Sequence, residues 1–323
     1  MKNIALIGCG QLGSRHLQAL AFVKQKVKIQ VVDSSSDSLK IAESRFKEVS
    51  QNFEGEISFH NDICDLEKKL DVVIVATNSK VRRTVIEQLV ANSTVEFLIL
   101  EKVLFVKEED YKIVENILIK NNIKAWVNCA RRMMDFYQNL QKELSGPIHF
   151  MATGNDWGLG CNGIHLLDLF AYLIKEQNII LSNHLIDKTI IESKRQGYIE
   201  FTGTITGYTN KHSFHITSFS NDSSPIHIII NTPIVRYIIQ EGGTSKVWIS
   251  KLENGWIWEE QSFIMPFQSQ LTNRVVDTIL EGGTCDLTTY KESSVLHLLF
   301  LKNLISFLQT INSDKTINEC LIT

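Results

Sequence analysis

Residues 1–33 read MKNIALIGCGQLGSRHLQALAFVKQKVKIQVVD. A short apolar run, Ile4 to Ile7, ends at Gly8, Gly10 and Gly13 in the pattern G-x-G-x-x-G; Ser14 to Phe22 repeats apolar residues at helical spacing, and a second apolar run ends in Asp33. The order strand, glycine turn, helix, strand, acid is that of a dinucleotide-binding βαβ unit. Gly8 allows the tight turn, Gly10 lets the backbone approach a pyrophosphate, and Gly13 lets the helix pack closely on the strand. The helix N-terminus then points free N–H groups and the positive dipole end at the phosphates, and Gln11 and Leu12 of the same loop count among the cofactor-binding residues. Asp33 stands where a ribose ligand is expected. Its carboxylate accepts hydrogen bonds from ribose hydroxyls and repels a 2′-phosphate, and Ser34, Ser35 and Ser36 bring no cation to offset it, so the cofactor expected is NAD rather than NADP.

With 323 residues, of which 44% are hydrophobic, the chain is long enough for two domains with substantial cores. The formal charge of −3 gives no electrostatic footprint for nucleic acid or an anionic membrane, so small-molecule partners are expected. The six cysteines, Cys9, Cys64, Cys129, Cys161, Cys285 and Cys320, are scattered, without C-x-x-C spacing or neighbouring histidines, which suits reduced thiols better than a disulfide frame or a zinc site. His212 and His215 fall three apart in a strand and so on opposite faces, and no metal is expected. The first residues enter a strand at once and no apolar run reaches membrane-spanning length, so the expected location is the cytoplasm.

Beyond Asp33 the alternation continues. Ser36 to Val49 reads as a helix with Ser36 or Asp37 as cap, and Ile57 to His60 as a short strand. Asp71 to Ala76, DVVIVA, is a strand buried on both faces that ends in Thr77, Asn78 and Ser79. Val81 to Ala91 is a helix, and the run Phe97 to Leu100 stops at Glu101 and Lys102. Ligands of a doubly wound sheet lie beyond the carboxyl ends of its strands, so Gly8, Asp33, Thr77, Asn78, Glu101 and Lys102 are expected to share one crevice. A helix at Glu108 to Lys120 and a strand at Lys124 to Val127 complete a Rossmann domain over residues 1–127.

Residues 128–323 have a different character. Arg131 to Leu144 looks helical, His149 to Ala152 is a strand leading into the glycine-rich GNDWGLGCNG, and Ile164 to Ile174 is an apolar helix carrying His165 and Asp168 on one face. Six β-branched and aromatic segments from Tyr198 to Gln261, with turn signals at Glu241-Gly242-Gly243 and Asn254-Gly255, predict an antiparallel sheet of about six strands. Helices at Gln268 to Leu280 and Lys291 to Leu308 follow, and the last dozen residues are expected to be weakly ordered. The fold class is thus an α/β Rossmann domain plus an α+β domain with an open, mainly antiparallel sheet.

The motifs GCGQLGSRH (Gly8 to His16), DVVIVATNS (Asp71 to Ser79), EKV (Glu101 to Val103), ARR (Ala130 to Arg132) and GIHLLDL (Gly163 to Leu169) occur in the order in which they resemble the Gfo/Idh/MocA oxidoreductases. That resemblance implies a Rossmann domain joined to a substrate and oligomerisation domain. It also implies that Lys102 is the motif lysine that contacts nicotinamide ribose and substrate hydroxyl, with Val103 standing where proline is usual. His165 corresponds to the histidine of an Asp-x-x-x-His motif, with Cys161 in place of the first aspartate. Family members commonly bury the open sheet against a second subunit, and apolar alternate positions such as Ile226, Ile228 and Ile230 need a cover, so a homodimer or homotetramer through this sheet is expected.

Hydride transfer from a secondary alcohol requires a group to take the hydroxyl proton and a geometry that sets the carbinol hydrogen over the nicotinamide. Lys102 and His165 are the candidates: His165 as general base with Lys102 stabilising the alkoxide-like charge, or the reverse. Asp168, Arg132, Asn155 and Trp157 are the substrate-binding candidates; each has a structural alternative, namely a helix anchor, an ion pair or a seal between domains. The expected function is hydride transfer to or from a hydroxyl or keto group of a sugar, sugar nucleotide or polyol, a substrate class taken from the resemblance. The alternatives are an accessory or sensor protein that binds NAD(P) with little turnover, and an enzyme using NAD transiently for elimination or epimerisation.

Overall fold

The computed structural model describes residues 1–222, 224–242 and 244–323, and Gly243 of the expected turn lies outside them. The N-terminal part alternates β1 (Lys2–Ile7), α1 (Gln11–Leu20), β2 (Val27–Val32), α2 (Ser36–Lys47), β3 (Glu56–His60), β4 (Lys69–Val75), α3 (Arg82–Asn92), β5 (Thr94–Leu100), α4 (Glu108–Lys120) and β6 (Lys124–Val127). Next come α5 (Asp135–Glu143), β7 (His149–Asn155), α6 (Leu159–Ile174), β8 (Ile180–Ile186), the two-residue β9 (Ile191–Glu192) and β10 (Ile199–Glu200), and β11 (Gly203–Tyr208). The sheet strands β12 (Ser213–Phe219), β13 (His227–Asn231), β14 (Val235–Gln240), β15 (Ser245–Lys251) and β16 (Trp258–Phe263) follow. The last elements are α7 (Thr272–Gly282), β17 (Thr288–Thr289) and α8 (Tyr290–Ile311).

These elements form two compact units. The first comprises Met1–Phe105, Glu109–Ala130 and Pro266–Ser293; the second comprises Val106–Glu108, Arg131–Met265 and Ser294–Thr323. The sequence reading places a single cut after residue 127, whereas the units interleave. Pro266–Ser293 returns to the first unit because its polar groups find partners there: Asp277 accepts the Lys24 N–H at 3.0 Å, and Thr288 and Thr289 add an antiparallel edge to β6.

In the first unit the sheet order is β17-β6-β5-β4-β1-β2-β3, parallel except for β17. Ile4 to Leu6 and Val72 to Val75 are fully buried, which is why these strands read as unbroken apolar runs rather than alternating ones. The chain leaves β1 toward β2 on one side and returns to β4 on the other, so the strand order reverses between β1 and β4. At this switch point the loops diverge and leave a crevice.

The second unit is built on an eight-stranded sheet, β16-β15-β14-β13-β7-β12-β11-β8, antiparallel except for the parallel pair β7 and β12. It exceeds the expected six strands because β7 enters its centre and β8 adds an edge. Helix α6 covers one face, where Phe170 meets Phe150 and Phe214 at ring-centroid distances of 5.8 and 5.1 Å. Ile228 and Ile230 lie fully buried on that covered face, so their cover comes from the chain itself. Helix α6 starts at Leu159, five residues earlier than the apolar pattern indicates, behind Gly158 at φ 77°. The expected helix Arg131 to Leu144 is instead a 3-10 turn, Ala130–Met133, followed by α5.

Helix α8 has 22 residues and is long and apolar enough, by length and composition, to cross a membrane, a length the sequence reading did not anticipate. In the second unit it serves as a core helix, with Leu296, Phe300, Leu301 and Leu304 buried to 1% exposure or less. The last residues are packed rather than loose. Cys320 and Ile322 are fully buried, Cys320 N–H donates to Val106, and the Leu321 carbonyl accepts from Ile199.

Candidate active site

The glycine loop, the ends of β2, β4 and β5, and the first turn of α1 all lie within the first unit. Gly8 has φ 88°, and a Cβ on it would stand 2.8 Å from the Thr77 nitrogen, so the β1 turn and the β4 turn touch through a residue without a side chain. A Cβ on Gly13 would lie 2.0 Å from the Gly8 carbonyl oxygen, which sets how closely α1 packs. At Gly10 a Cβ would project into open space, with nothing within 4 Å. That open space fronts the α1 N-terminus, whose first turn has no acidic residue to compete for its N–H groups.

A cleft of about 550 Å³ runs beside this loop, lined among others by Gly8, Asp33, Ser34, Thr77, Lys80 and Thr84. Both oxygens of Asp33 already accept backbone N–H groups, Oδ2 from Cys9 at 2.8 Å and Oδ1 from Ser35 at 2.9 Å. These bonds hold the carboxylate at the rim of the cleft, and each oxygen keeps lone-pair capacity for a further donor. Cys9 is inert: burial and the neighbouring Asp33 charge push its thiol up to about 12. The Thr77 hydroxyl is buried with no hydrogen-bond partner in the structure, and the Thr77 methyl is the side-chain atom nearest Gly8. The cradle that a Cβ would fill and this orphaned hydroxyl both suit a dinucleotide diphosphate and its ribose.

Glu101, expected among the cofactor-binding residues, has internal partners. It is 3% exposed, and its Oε1 takes the His16 Nε2 at 2.9 Å and an Asn128 amide N–H. His16 Nδ1 meets the Thr272 hydroxyl at 2.8 Å, and Gln268 bridges Asn128 and Thr272 at 2.9 Å to each. Burial raises the Glu101 carboxyl, but the His16 hydrogen bond and charge outweigh it and leave the group below the usual carboxylate range. Glu101 is therefore an internal anchor that ties the end of β5 to α1 and to the returning segment before α7. Asn78 likewise turns to local work, its Oδ1 accepting the Val81 N–H at the start of α3. Lys102 follows Glu101, partly exposed, and the Lys102–Val103 peptide is cis.

In the second unit Arg132 and Asp168 find each other. They form a two-pronged ion pair at 2.7 and 2.8 Å, with side chains 11% and 1% exposed, and the guanidinium lies 5.4 Å from the Tyr172 ring centroid. The neighbouring Arg131 binds both oxygens of Glu241, which also accepts the Tyr137 hydroxyl. Trp157 is 9% exposed with Nε1 donating to the Thr217 carbonyl at 2.7 Å, and the Asn155 amide is held by Asn221 and Ser224. Of the four substrate-binding candidates, Trp157 and Asn155 are thus committed to the unit's own framework, and Arg132 and Asp168 to each other. His165 sits one turn before Asp168 on α6, and the N-terminus of α6 is capped by the buried Glu200, which accepts the Gly160 and Cys161 N–H groups at 2.7 and 2.9 Å.

Sequence reasoning assigned no role to His16, Arg82, Asn128, Thr272, Glu200 or Glu241. His16 carried a signal, because it lies one helical turn beyond Gly13 on the packed side of α1; the others are identified only by partners far away in the chain. Among the described residues no group of three or more His, Cys, Asp or Glu side chains is placed to hold a metal ion.

A Rossmann sheet with its glycine cradle, joined in one chain to an open eight-stranded sheet, is the architecture of a dinucleotide-binding protein. Residues 2–129 match the family model GFO_IDH_MocA, the oxidoreductase family with NAD-binding Rossmann fold. No curated protein matches the chain by sequence. Among solved structures it is similar to an oxidoreductase from Agrobacterium radiobacter in complex with NAD+, L-tartaric acid and magnesium, with TM-score 0.72 and 16% identity over 97% of this chain and 99% of that one. It is also similar to KijD10, a 3-ketoreductase from Actinomadura kijaniata in complex with NADP, at 0.67 and 14% over 100% and 99%. A super-repressor mutant of Gal80p from Saccharomyces cerevisiae gives 0.71 and 11% over 96% of each. Likenesses at these identities show the fold alone.

Proposed function

We propose that the protein is an NAD-dependent oxidoreductase that moves a hydride between the nicotinamide and a hydroxyl or keto group of a sugar, sugar nucleotide or polyol. The observation that carries the reading is the glycine cradle, with open space at Gly10 and the Asp33 carboxylate at the rim of the adjoining cleft. When bound, the dinucleotide supplies the hydride acceptor or donor. The loop from Gly8 to Gly13 holds its diphosphate through backbone N–H groups, and Asp33 accepts the adenosine ribose hydroxyls and repels a 2′-phosphate. Lys102, at the end of β5, donates to the reacting oxygen and steadies negative charge on it; His165 takes or returns the hydroxyl proton. The similarity in fold to the UDP-N-acetylglucosamine 3-dehydrogenase GnnA from Acidithiobacillus ferrooxidans supports a sugar-derived substrate.

The test is a screen of sugars, nucleotide sugars and polyols at the reduced-nicotinamide absorbance band, with wild type, Lys102→Ala and His165→Ala. Turnover with NAD that both substitutions abolish, while NADH binding remains measurable in each, supports the proposal. The second reading, an NAD(P)-binding accessory protein with little turnover, is motivated by Val103, by Cys161 and by the engagement of Asp168 with Arg132. Its outcome is NADH binding without turnover on any compound of the panel.

The proposal includes self-association through the sheet. Because α6 closes the face that carries Ile228 and Ile230, the available face is the opposite one, where Met151, Ile229, Ile238 and Trp248 stand side by side across four strands. Met151 on this face is 38% exposed, and Trp258 two strands beyond Ile238 is 46% exposed. Light scattering that shows a monomer at micromolar concentration would overturn this part.

A further inference from the structure

Arg82 opens α3 and is 1% exposed. Its position is unfavourable on two counts: a cation is taken out of water, and it stands at the positive end of a helix dipole. The guanidinium offsets this by donating to backbone carbonyls. Nη1 donates to Val103 and, at 2.8 Å, to Leu104, and Nη2 donates to Thr77. Thr77 belongs to the loop that follows β4 and touches Gly8; Val103 and Leu104 belong to the loop that follows β5. A rigid planar fork therefore joins two loops that are 25 residues or more apart in the chain, the first of which lines the candidate cofactor cleft at Thr77.

Lys102 stands between two anchored neighbours. On its N-terminal side Glu101 is held by His16 and Asn128; on its C-terminal side Val103 and Leu104 are held by Arg82, and the Phe105 carbonyl beyond them accepts the buried Tyr111 hydroxyl at 3.2 Å. A long flexible side chain such as lysine is precise only to the extent that its backbone is fixed. We infer that Arg82 is a positioning residue, which sets where Lys102 stands relative to the glycine loop by tying the β4 and β5 loops together. The inference rests on the proposed role of Lys102 together with the contact to the nicotinamide ribose that the family resemblance implies for it.

The experiment is a double-substitution cycle on NADH affinity, with Arg82→Met, Lys102→Ala and the pair, combined with amide hydrogen exchange over residues 101–105. Lys102→Ala is expected to weaken NADH by roughly tenfold or more, the loss of one charge-assisted hydrogen bond. Arg82→Met should weaken NADH to a similar extent and speed exchange of the 101–105 amides, and in the Lys102→Ala background it should add less than about twofold. Arg82→Lys, which keeps the cation and part of the donor set, should recover most of the affinity; where Arg82→Met does not fold, Arg82→Gln takes its place in the cycle with the same expected losses. Equal losses in both backgrounds, or unchanged exchange over 101–105, would overturn the inference. Lys102→Ala with wild-type NADH affinity, alongside faster loop exchange in the Arg82 variant, would overturn the reading of Lys102 while upholding the tie made by Arg82.

Discussion

Gly10 and Gly13 belong to one motif, yet adding a single methyl group should affect them in opposite ways. At Gly13 the new Cβ would fall 2.0 Å from the Gly8 carbonyl oxygen, where ordinary contact begins near 3.4 Å, so α1 must move away from β1 by more than an ångström. Displacing a packed helix from a buried strand costs about 1–3 kcal/mol, which in a chain of this size lowers Tm by several degrees. At Gly10 the Cβ meets nothing within 4 Å and the backbone is already at φ −60°, which alanine adopts, so the stability cost is the loss of a preferred N-cap, about 0.5–1 kcal/mol. The methyl group would instead occupy the space through which a diphosphate approaches the α1 N-terminus. One lost charge-assisted hydrogen bond is worth about 1.5–3 kcal/mol, so NADH should bind Gly10→Ala roughly ten- to a hundredfold more weakly. NADH fluorescence titration combined with thermal unfolding separates the two cases. NADH affinity within twofold of wild type for Gly10→Ala would refute the placement of the diphosphate, and an unchanged Tm for Gly13→Ala would refute the packing argument.

Other consequences can be tested in the second unit. Burial pushes the Glu241 carboxyl up, but the Arg131 charge and hydrogen bonds and the Tyr137 hydroxyl prevail and leave it below its ordinary value of 4.5. The folded state therefore binds this proton less readily than the unfolded chain does; the resulting stability is present above about pH 4.5 and is lost as pH falls through the folded value. Urea midpoints between about pH 5 and 3 should fall less steeply for Glu241→Gln than for wild type, and identical slopes would contradict the assignment. Asp168→Asn leaves the Arg132 guanidinium without its carboxylate in a buried setting and should cost about 3–5 kcal/mol in chemical denaturation; a cost under about 1 kcal/mol would show that the pair is not structural. Deleting Cys320 to Thr323 strips the fully buried Cys320 and Ile322 from the second unit and should cost at least the ~2–5 kcal/mol of a buried isoleucine truncation, read as a lower urea midpoint.

The first thirty-three residues carried most of what could be read locally. The glycine spacing, the unbroken apolar runs within β1 and β4 and the acid after β2 are short-range patterns, and each follows from the backbone conformation or the two-sided burial of its own segment. The β-branched segments from β11 to β16 were legible for the same reason, with alternation marking one buried face. Arg132 and Asp168 were each visible as chemistry-bearing residues, but their joining was not, since either could pair with solvent, substrate or another side chain until the fold set them 2.7 Å apart.

What the sequence by itself determined is therefore the Rossmann half, its glycine cradle and the β character of the C-terminal half, because these are written in the periodicity of single elements. Only the tertiary structure decided that β7 lies in the middle of the second sheet, that Pro266–Ser293 returns to the first unit, and that the chain itself buries Ile228 and Ile230. It alone decided that Glu101 faces His16, that Arg82 reaches the loop after β5 and that Glu241 receives Arg131. The physical reason is common to all of these. A buried polar or charged group must be satisfied, but its partner stands 22 to 253 residues away, and no local pattern states which of many distant groups will be the one to arrive.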